Sequence, residues 1–218
     1  MSNKLSIVIP IFNEKNYLVN FFHDLFTTFE NTFVEYIIVN DGSNDGTEVW
    51  LRKYIQPLSN KKLSSKIKIN KKDNKNFIYK IASSKINFSK VIFIDKTKNF
   101  GKGKSVIDAL KSSTGEYITI LDADLEYDPL DTLNMYKLIK KRNIDHVIFG
   151  SRFTSDLPHR HKHILNYFIN HINTFLFNIF FHCAISDIHC GAKLFSRKVL
   201  QDINLTSNDF SIDLDIGS

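Results

Sequence analysis

Asp122 and Asp124 flank one small residue, Ala123, directly after an apolar run that ends at Leu121. Two carboxylates at the end of a strand are hard oxygen ligands suited to Mg²⁺ or Mn²⁺. Magnesium commonly takes one or two protein carboxylates and fills the rest of its shell with phosphate oxygens and water. The spacing therefore suits a cation that bridges the protein and a diphosphate and stabilises charge building on a leaving diphosphate. Glu126 is available as a further ligand, directly or through water. The alternative is a solvated acidic loop capping the helix expected from Pro129, with Asp128 the best cap. A lone Asp-x-Asp is a weak signal by itself.

A second group is Gly101-Lys-Gly103-Lys-Ser. It follows a strand-like run and opens a helix, so its amides and lysines could meet an anion; a plain turn into a helix explains it equally well. It lacks the leading glycine and spacing of a phosphate-binding P-loop and so does not support an ATPase of that class. Ser43 has no evident His-Asp partnership and does not support a serine hydrolase. His159 to His163, His182-Cys183 and His189-Cys190 lack the ligand spacing of zinc sites. With only Cys183 and Cys190 the chain has no disulfide scaffold, and a reducing compartment fits.

The elements that must position these residues are legible from periodicity. Leu5-Ser-Ile-Val-Ile-Pro-Ile, Tyr36-Ile-Ile-Val, Lys90-Val-Ile-Phe-Ile, Tyr117-Ile-Thr-Ile-Leu and His146-Val-Ile-Phe read as strands. Between them, Asn13 to Glu30, Thr47 to Ile55, Lys104 to Lys111 and the stretch opened by Pro129 read as helices. This alternation predicts an α/β domain with a mostly parallel sheet and helices on both faces. Strands buried on both faces should be continuously apolar, and these are. Ligands of such sheets bind outside the carboxyl ends of the strands. The polar clusters Asn13-Glu14, Asp41-Gly42-Ser43, Asp122 to Asp124 and Ser151-Arg152 all fall at those ends.

The 218 residues suffice for one domain, expected to span 1–218. Residues 58–89 interrupt the alternation; a short strand at Lys66 to Ile69 and a short helix near Phe77 to Ala82 are expected within them. Lys61 to Lys90 is dense in lysine, carries a single acid and supplies much of the formal net charge of +6. A solvated insertion is the preferred reading, ahead of attraction to nucleic acid or anionic lipid. No run of about 18 apolar residues occurs and no secretion signal precedes the first strand, so a cytosolic location is the expectation. Ending soon after Asp213-Leu-Asp215, the C-terminus reads as truncated.

Taken in order, several segments resemble the family 2 glycosyltransferases of GT-A fold. They are Ile7-Val-Ile-Pro-Ile-Phe-Asn-Glu14, Val39-Asn-Asp-Gly-Ser-Asn-Asp-Gly-Thr47, Asn99-Phe-Gly-Lys-Gly103, Leu121-Asp-Ala-Asp124 and Gly150-Ser-Arg152. Asp187-Ile-His-Cys-Gly-Ala-Lys-Leu-Phe-Ser-Arg197 is similar to a segment of dolichyl-phosphate β-glucosyltransferases and, more loosely, of dolichyl-phosphate mannose synthases. The resemblance implies sugar transfer with inversion from a nucleotide-diphospho-sugar, a UDP-sugar favoured and UDP-glucose the best guess. The implied acceptor is a polyprenyl (dolichyl-type) phosphate, the cofactor Mg²⁺ or Mn²⁺, and nucleic acid is no partner.

By the same resemblance Pro10, Phe12 and Glu14 would line the nucleotide pocket, and Asp41 would contact the base or ribose. Lys102 would lie near the nucleotide. Asp122 and Asp124 would hold the metal, Asp124 more directly, with Ala123 between them in the donor site. Arg152, Asp187, Lys193 and Arg197 would serve the donor or acceptor phosphates. The acidic end motif reads Phe210-Ser-Ile-Asp213-Leu-Asp215, where the family's final residue is Glu. Lys98 stands where arginine is common, Asn40 where many members carry Asp, and Ala192 where an aromatic residue is usual.

Ile164 to Phe181 carries apolar residues at helical spacing and follows the basic stretch His159-Arg-His-Lys-His163. Such a helix suits a membrane interface, and packing on the sheet explains the stripe about as well. The expected location is peripheral, on the cytosolic face of a membrane. Two other readings stay open: a family 2 transferase acting on a saccharide hydroxyl, and an inactive domain that only binds nucleotide sugars.

Overall fold

Strand β1 (Leu5–Ile11) holds seven residues, all buried, and lies in the middle of a six-stranded sheet. The structure is a computed structural model that describes residues 4–59, 66–68, 80–82, 90–142, 147–151, 164–182, 184–188 and 190–202. β1 pairs in parallel with β2 (Val34–Asp41) on one side and with β6 (Tyr117–Ile120) on the other. β2 in turn pairs in parallel with β5 (Lys90–Lys96), a half-exposed edge strand. Beyond β6 the sheet changes direction. β8 (Lys193–Ser196) runs antiparallel to both β6 and β7 (Val147–Phe149). The order is β5-β2-β1-β6-β8-β7, a mixed α/β sheet with its parallel half intact.

Side chains alternate across this sheet because successive strand residues point to opposite faces. Leu5, Ile7, Ile9 and Ile11 join Tyr36 and Ile38 in one core. That core is closed by Leu18, Phe21, Phe22 and Leu25 of α1 (Leu18–Thr28), Leu51 of α2 (Thr47–Tyr54) and Leu133 of α5 (Pro129–Arg142). Aromatic packing tightens it: Phe22 stacks on Trp50 at 5.5 Å, and Phe21 meets Phe22 edge-on at 5.2 Å. Each phenylalanine so buried contributes about 1.5–3 kcal/mol of transfer free energy. On the other face Val8, Ile37, Val39, Ile118, Ile120 and Phe195 pack on Val106 and Ala109 of α4 (Lys102–Ser112).

Helices therefore cover both faces, as the alternation predicts. The remaining elements are α3 (Gln56–Ser59), the antiparallel pair β3 (Lys66–Lys68) and β4 (Lys80–Ala82), α6 (Ile164–Phe181) and α7 (Arg197–Asp202). Two expectations need correction. Lys80–Ala82 is a strand paired with β3, where a short helix is expected from the sequence. β8 and α7 are absent from the periodicity reading altogether.

The two ends of the sheet differ. At the amino end, Glu35 is fully buried and accepts hydrogen bonds from the Ser6 hydroxyl (2.7 Å), the Thr114 amide (2.7 Å) and hydroxyl (3.0 Å), and Lys4 Nζ (3.2 Å). This knot ties β1, β2 and the α4–β6 turn together. At the carboxyl end the sheet splays. Pairing of β6 with β1 stops at Ile120 opposite Val8, and the Leu121 amide reaches back to the Val8 carbonyl. Pro10, two residues further along β1, would place its missing amide on that same side, where no strand continues. From β1 the chain builds outward to β2 and β5, then returns to the other flank with β6. The gap between β1 and β6 is thus the switch point at which such sheets bind ligands.

Candidate active site

Three loops meet over the carboxyl ends of β1, β2 and β5. Asn13 adopts a left-handed backbone (φ 58°), a conformation asparagine tolerates better than most residues. Its amide donates to Ser43 Oγ (3.0 Å), and its own side-chain oxygen accepts from the Asn44 amide (2.9 Å). The Glu14 amide donates to Thr47 Oγ1 at 3.0 Å. The β1–α1 and β2–α2 loops are therefore stapled to each other. Gly42 has φ +70°, and a Cβ there would fall 2.2 Å from the Lys98 carbonyl carbon. Only glycine lets the β5–α4 loop lie across this turn.

Asp41 organises the third loop. It is 3% exposed, and its carboxylate accepts from the Phe100 amide (3.2 Å to each oxygen) and the Gly101 amide (2.9 Å). Lys96 Nζ lies 3.3 Å from it and bridges onward to Asp108 at 3.2 Å. The Asp41 carboxylate, expected to meet the base or ribose, is turned inward and clamps the turn that precedes Lys102. Asn40 donates to Asp95 at 2.7 Å, and Asp95 also accepts from Arg52 at 2.6 Å. An Asp at position 40 would set two carboxylates face to face, so the amide there suits Asp95.

From the start of α4, Lys102 Nζ reaches Asp122 Oδ2 at 2.8 Å, with side-chain exposures of 15% and 22%. Asp124 Oδ1 accepts from the Glu126 amide at 2.9 Å, and Leu125 between them takes a left-handed backbone (φ 63°). Ala123 is buried beneath the turn. Capping of α5 falls to Asp128, whose Oδ1 accepts from the Leu130 amide at 2.8 Å. The acidic loop thus divides its work: Asp128 caps, and Asp122 and Asp124 stand at the switch point. Glu126 is exposed beside them, and among the described residues no three His, Cys, Asp or Glu side chains gather into a metal-binding group. Two hard carboxylates fit a divalent cation that draws its other ligands from a diphosphate and water.

Phe12 stands 42% exposed at the end of β1, whereas Pro10 is buried in the strand. Phe100 is also exposed, with Lys98 Nζ 5.0 Å and Lys96 Nζ 5.5 Å from its ring centre. On the far flank, the Tyr127 hydroxyl accepts from the Gly191 amide at 2.8 Å and links the acidic loop to the approach to β8. Ala192 packs on Gly150, where an added Cβ would come within 3.0 Å of the alanine Cβ. Lys193 begins β8 at the same edge, yet it is 1% exposed with its Nζ 5.6 Å from the Phe149 ring centre. Asp187 is fully buried under α6, where the Ile188 amide donates to Thr174 Oγ1 at 3.3 Å.

Arg197 does not join the site. β8 runs antiparallel, so Ser196 lies opposite Tyr117 at the amino end of β6. There Arg197 donates to the Gly115 carbonyl (2.6 Å) and to Ser113 Oγ (2.9 Å). Burial holds its guanidinium below the usual arginine range, against the opposing pull of Glu35. Its expected contact with phosphates is corrected to a structural tie at the opposite edge of the sheet. Arg152, Asp213 and Asp215 lie outside the described residues. Sequence reasoning missed Lys96 and Tyr127; the position of Lys96 at the carboxyl end of a parallel strand is the signal that marks it.

α6 presents Ile169, Ile172, Phe175, Leu176, Ile179 and Phe180 to the outside, Phe180 at 75% exposure. Its other face holds Thr174, Phe177 and Asn178, the last exchanging hydrogen bonds with the Ile185 backbone (2.8 and 3.0 Å). Among the described residues no helix is long and apolar enough to cross a membrane.

The chain matches the family model described as glycosyl transferase family 2 over residues 6–77 and 70–203. It is 27% identical over 203 residues to the uncharacterized protein MJ0544 of Methanocaldococcus jannaschii, covering 90% of this chain and 73% of that one. It is 24% identical over 214 residues to the dodecaprenyl-phosphate galacturonate synthase of Rhizobium johnstonii, covering 94% of this chain and 51% of that one. Two solved structures share the fold. TarS 1-349 of S. aureus in complex with UDP-GlcNAc has a TM-score of 0.54 at 18% identity, over 98% of this chain and 53% of that one. The mannosyltransferase PcManGT of Pyrobaculum calidifontis, in complex with GDP-Man and Mn²⁺, has a TM-score of 0.55 at 16% identity, over 98% and 51%. The chain thus spans about half the length of the synthase and of both solved structures. With the family model matched from the first strand to the last helix, the chain belongs to glycosyl transferase family 2.

Proposed function

We propose that this chain is the donor-binding domain of an inverting, metal-dependent glycosyltransferase. It moves a hexose, glucose from UDP-glucose foremost, from a nucleoside diphosphate to a polyprenyl phosphate. The observation that carries this reading is the pair Asp122 and Asp124 at the switch point, with Lys102 drawn onto Asp122 at 2.8 Å. Relatives support the substrate classes: one is named as acting on dodecaprenyl phosphate, and solved neighbours hold UDP-GlcNAc or GDP-Man with Mn²⁺.

In this reading Phe12, Pro10 and Glu14 flank the base, with exposed Phe12 supplying a stacking face. Asp122 and Asp124 would hold a divalent cation, which would supply charge stabilisation for the departing diphosphate. The acceptor oxygen attacks the anomeric carbon from the face opposite the diphosphate. The bond from that carbon to the diphosphate oxygen breaks, and the nucleoside diphosphate leaves with the electron pair. A phosphate acceptor is already ionised near neutral pH, so no strong general base is needed. Cations that place it matter more, and Arg152, beyond the end of β7, is assigned that task. Asp213 and Asp215 take the acidic role that the end motif implies.

The outward face of α6, following the basic stretch His159 to His163, is assigned to a membrane interface that brings the enzyme to its lipid acceptor. The location is then peripheral, on the cytosolic side. Incubation of the purified protein with radiolabelled UDP-glucose, Mn²⁺ and vesicles containing polyprenyl phosphate tests the reading. Label should enter an acid-labile lipid. Label appearing in a saccharide polymer, with none in lipid, would replace the acceptor by a sugar hydroxyl.

A further inference from the structure

Lys102 holds one of the oxygens that a divalent cation would need. Its ammonium lies 2.8 Å from Asp122 Oδ2, and both side chains are largely sheltered, at 15% and 22% exposure. A divalent cation on that oxygen would need to come within about 2.0–2.2 Å of it. Ammonium and metal cannot both hold this position, because like charges so close in a sheltered site repel strongly. The positive end of α4, which Lys102 opens, adds to that repulsion.

From this we infer that Lys102 is a latch on the acidic pair: without donor it occupies Asp122 and keeps the metal weakly bound, and the donor diphosphate releases it. The inference rests on the metal-site reading given under Proposed function. Lysine is suited to the exchange. Its charge rides on a flexible four-carbon stem and can pivot without moving the helix. An incoming diphosphate offers that ammonium new anionic oxygens and frees Asp122 for the metal. The Asp41 clamp on the Phe100 and Gly101 amides fixes the base of the swing one residue before Lys102. Metal and donor then enter as a cooperative pair, and the reaction is protected from idle metal loading.

The test is Mn²⁺ binding followed by the electron paramagnetic resonance of free Mn²⁺, with and without UDP or GDP. Wild type, Lys102→Met and Lys102→Arg are compared, each checked for an unchanged unfolding transition. Lys102→Met should bind Mn²⁺ alone roughly tenfold more tightly than wild type, the low end of couplings seen for close charge pairs. Lys102→Arg, which keeps the charge, should bind Mn²⁺ alone no more tightly than wild type. In wild type the nucleotide should tighten Mn²⁺ binding, and in Lys102→Met that gain should shrink by the same factor, since coupling is reciprocal. If Lys102→Met binds Mn²⁺ alone no better than wild type while both bind it with nucleotide, the latch is overturned and the metal site stands. If no protein binds Mn²⁺ under either condition, the metal-site reading falls and the latch with it.

Discussion

Replacing Asp41 by asparagine separates two roles that the same residue could play. In the structure its two oxygens accept the Phe100 and Gly101 amides at 2.9–3.2 Å and face Lys96 Nζ at 3.3 Å. Asparagine keeps one of those acceptors and turns the other into an NH₂ group pointed at donors. A stranded, buried backbone amide costs about 1–3 kcal/mol. Loss of the charge opposite Lys96 adds less than it would for an isolated pair, because Asp108 (3.2 Å) and Ser105 (2.9 Å) still hold that ammonium. The sum is about 2–3 kcal/mol. For a chain of this size each kcal/mol moves Tm by about 2–4 °C, so the variant should melt roughly 4–12 °C below wild type. Calorimetry and urea unfolding without any ligand measure this directly. Unchanged stability together with lost nucleotide binding would refute the clamp and return Asp41 to the donor.

Two further outcomes follow from the same geometry. At the amino end of the sheet, burial pushes the Glu35 carboxyl up, but the Thr114 amide, Ser6 hydroxyl and Lys4 ammonium together pull it below its ordinary value. A carboxyl depressed in this way adds stability at neutral pH that is lost as pH falls through its folded pKa. Glu35→Gln should therefore be destabilised by about 2 kcal/mol at pH 7, and the gap to wild type should close as pH drops below about 4.5; a pH-independent gap in urea midpoints would count against it. On α6, the paired change Phe175→Ser with Phe180→Ser removes two exposed rings, each worth about 1.5–3 kcal/mol if buried in lipid. Co-sedimentation with anionic vesicles should fall at least tenfold, with Tm little changed; full retention on vesicles would assign that face to another partner.

What could be read from the sequence, and what could not, divides along the range of the interactions. Leu5–Ile11 and Val34–Asp41 are buried along their whole length, and the apolar runs Ile7 to Ile11 and Tyr36 to Val39 within them declare it. Lys193–Ser196 is four residues long with polar ends, and its place is set by pairing with Tyr117–Ile120 far back in the chain. No local period announces such a strand. Lys80–Ala82 has the same difficulty, and three residues cannot tell a helical period from a strand's. The site shows the same division. Asp122, Asp124 and Lys102 are each visible as chemistry at an element's end, whereas their contact joins residues 20 apart. The segment reads as one motif, which groups Arg197 with Lys193. An extended strand carries four residues about 13 Å, and that distance delivers Arg197 to Gly115 and Ser113 at the opposite edge. The resemblance gives Asp41 to the donor, and nothing in its local sequence reveals that the chain near residue 100 folds back onto it.

The metal role of Asp122 and Asp124 is tested by sugar transfer in a variant with both changed to asparagine, assayed across a Mn²⁺ series and in chelator. These carboxylates are the hard oxygens at the switch point. Transfer by the variant should fall at least about 100-fold and no longer respond to Mn²⁺, while wild type loses its activity in chelator. Transfer by the variant at the wild-type rate, or wild-type activity that persists undiminished in chelator, would contradict that role.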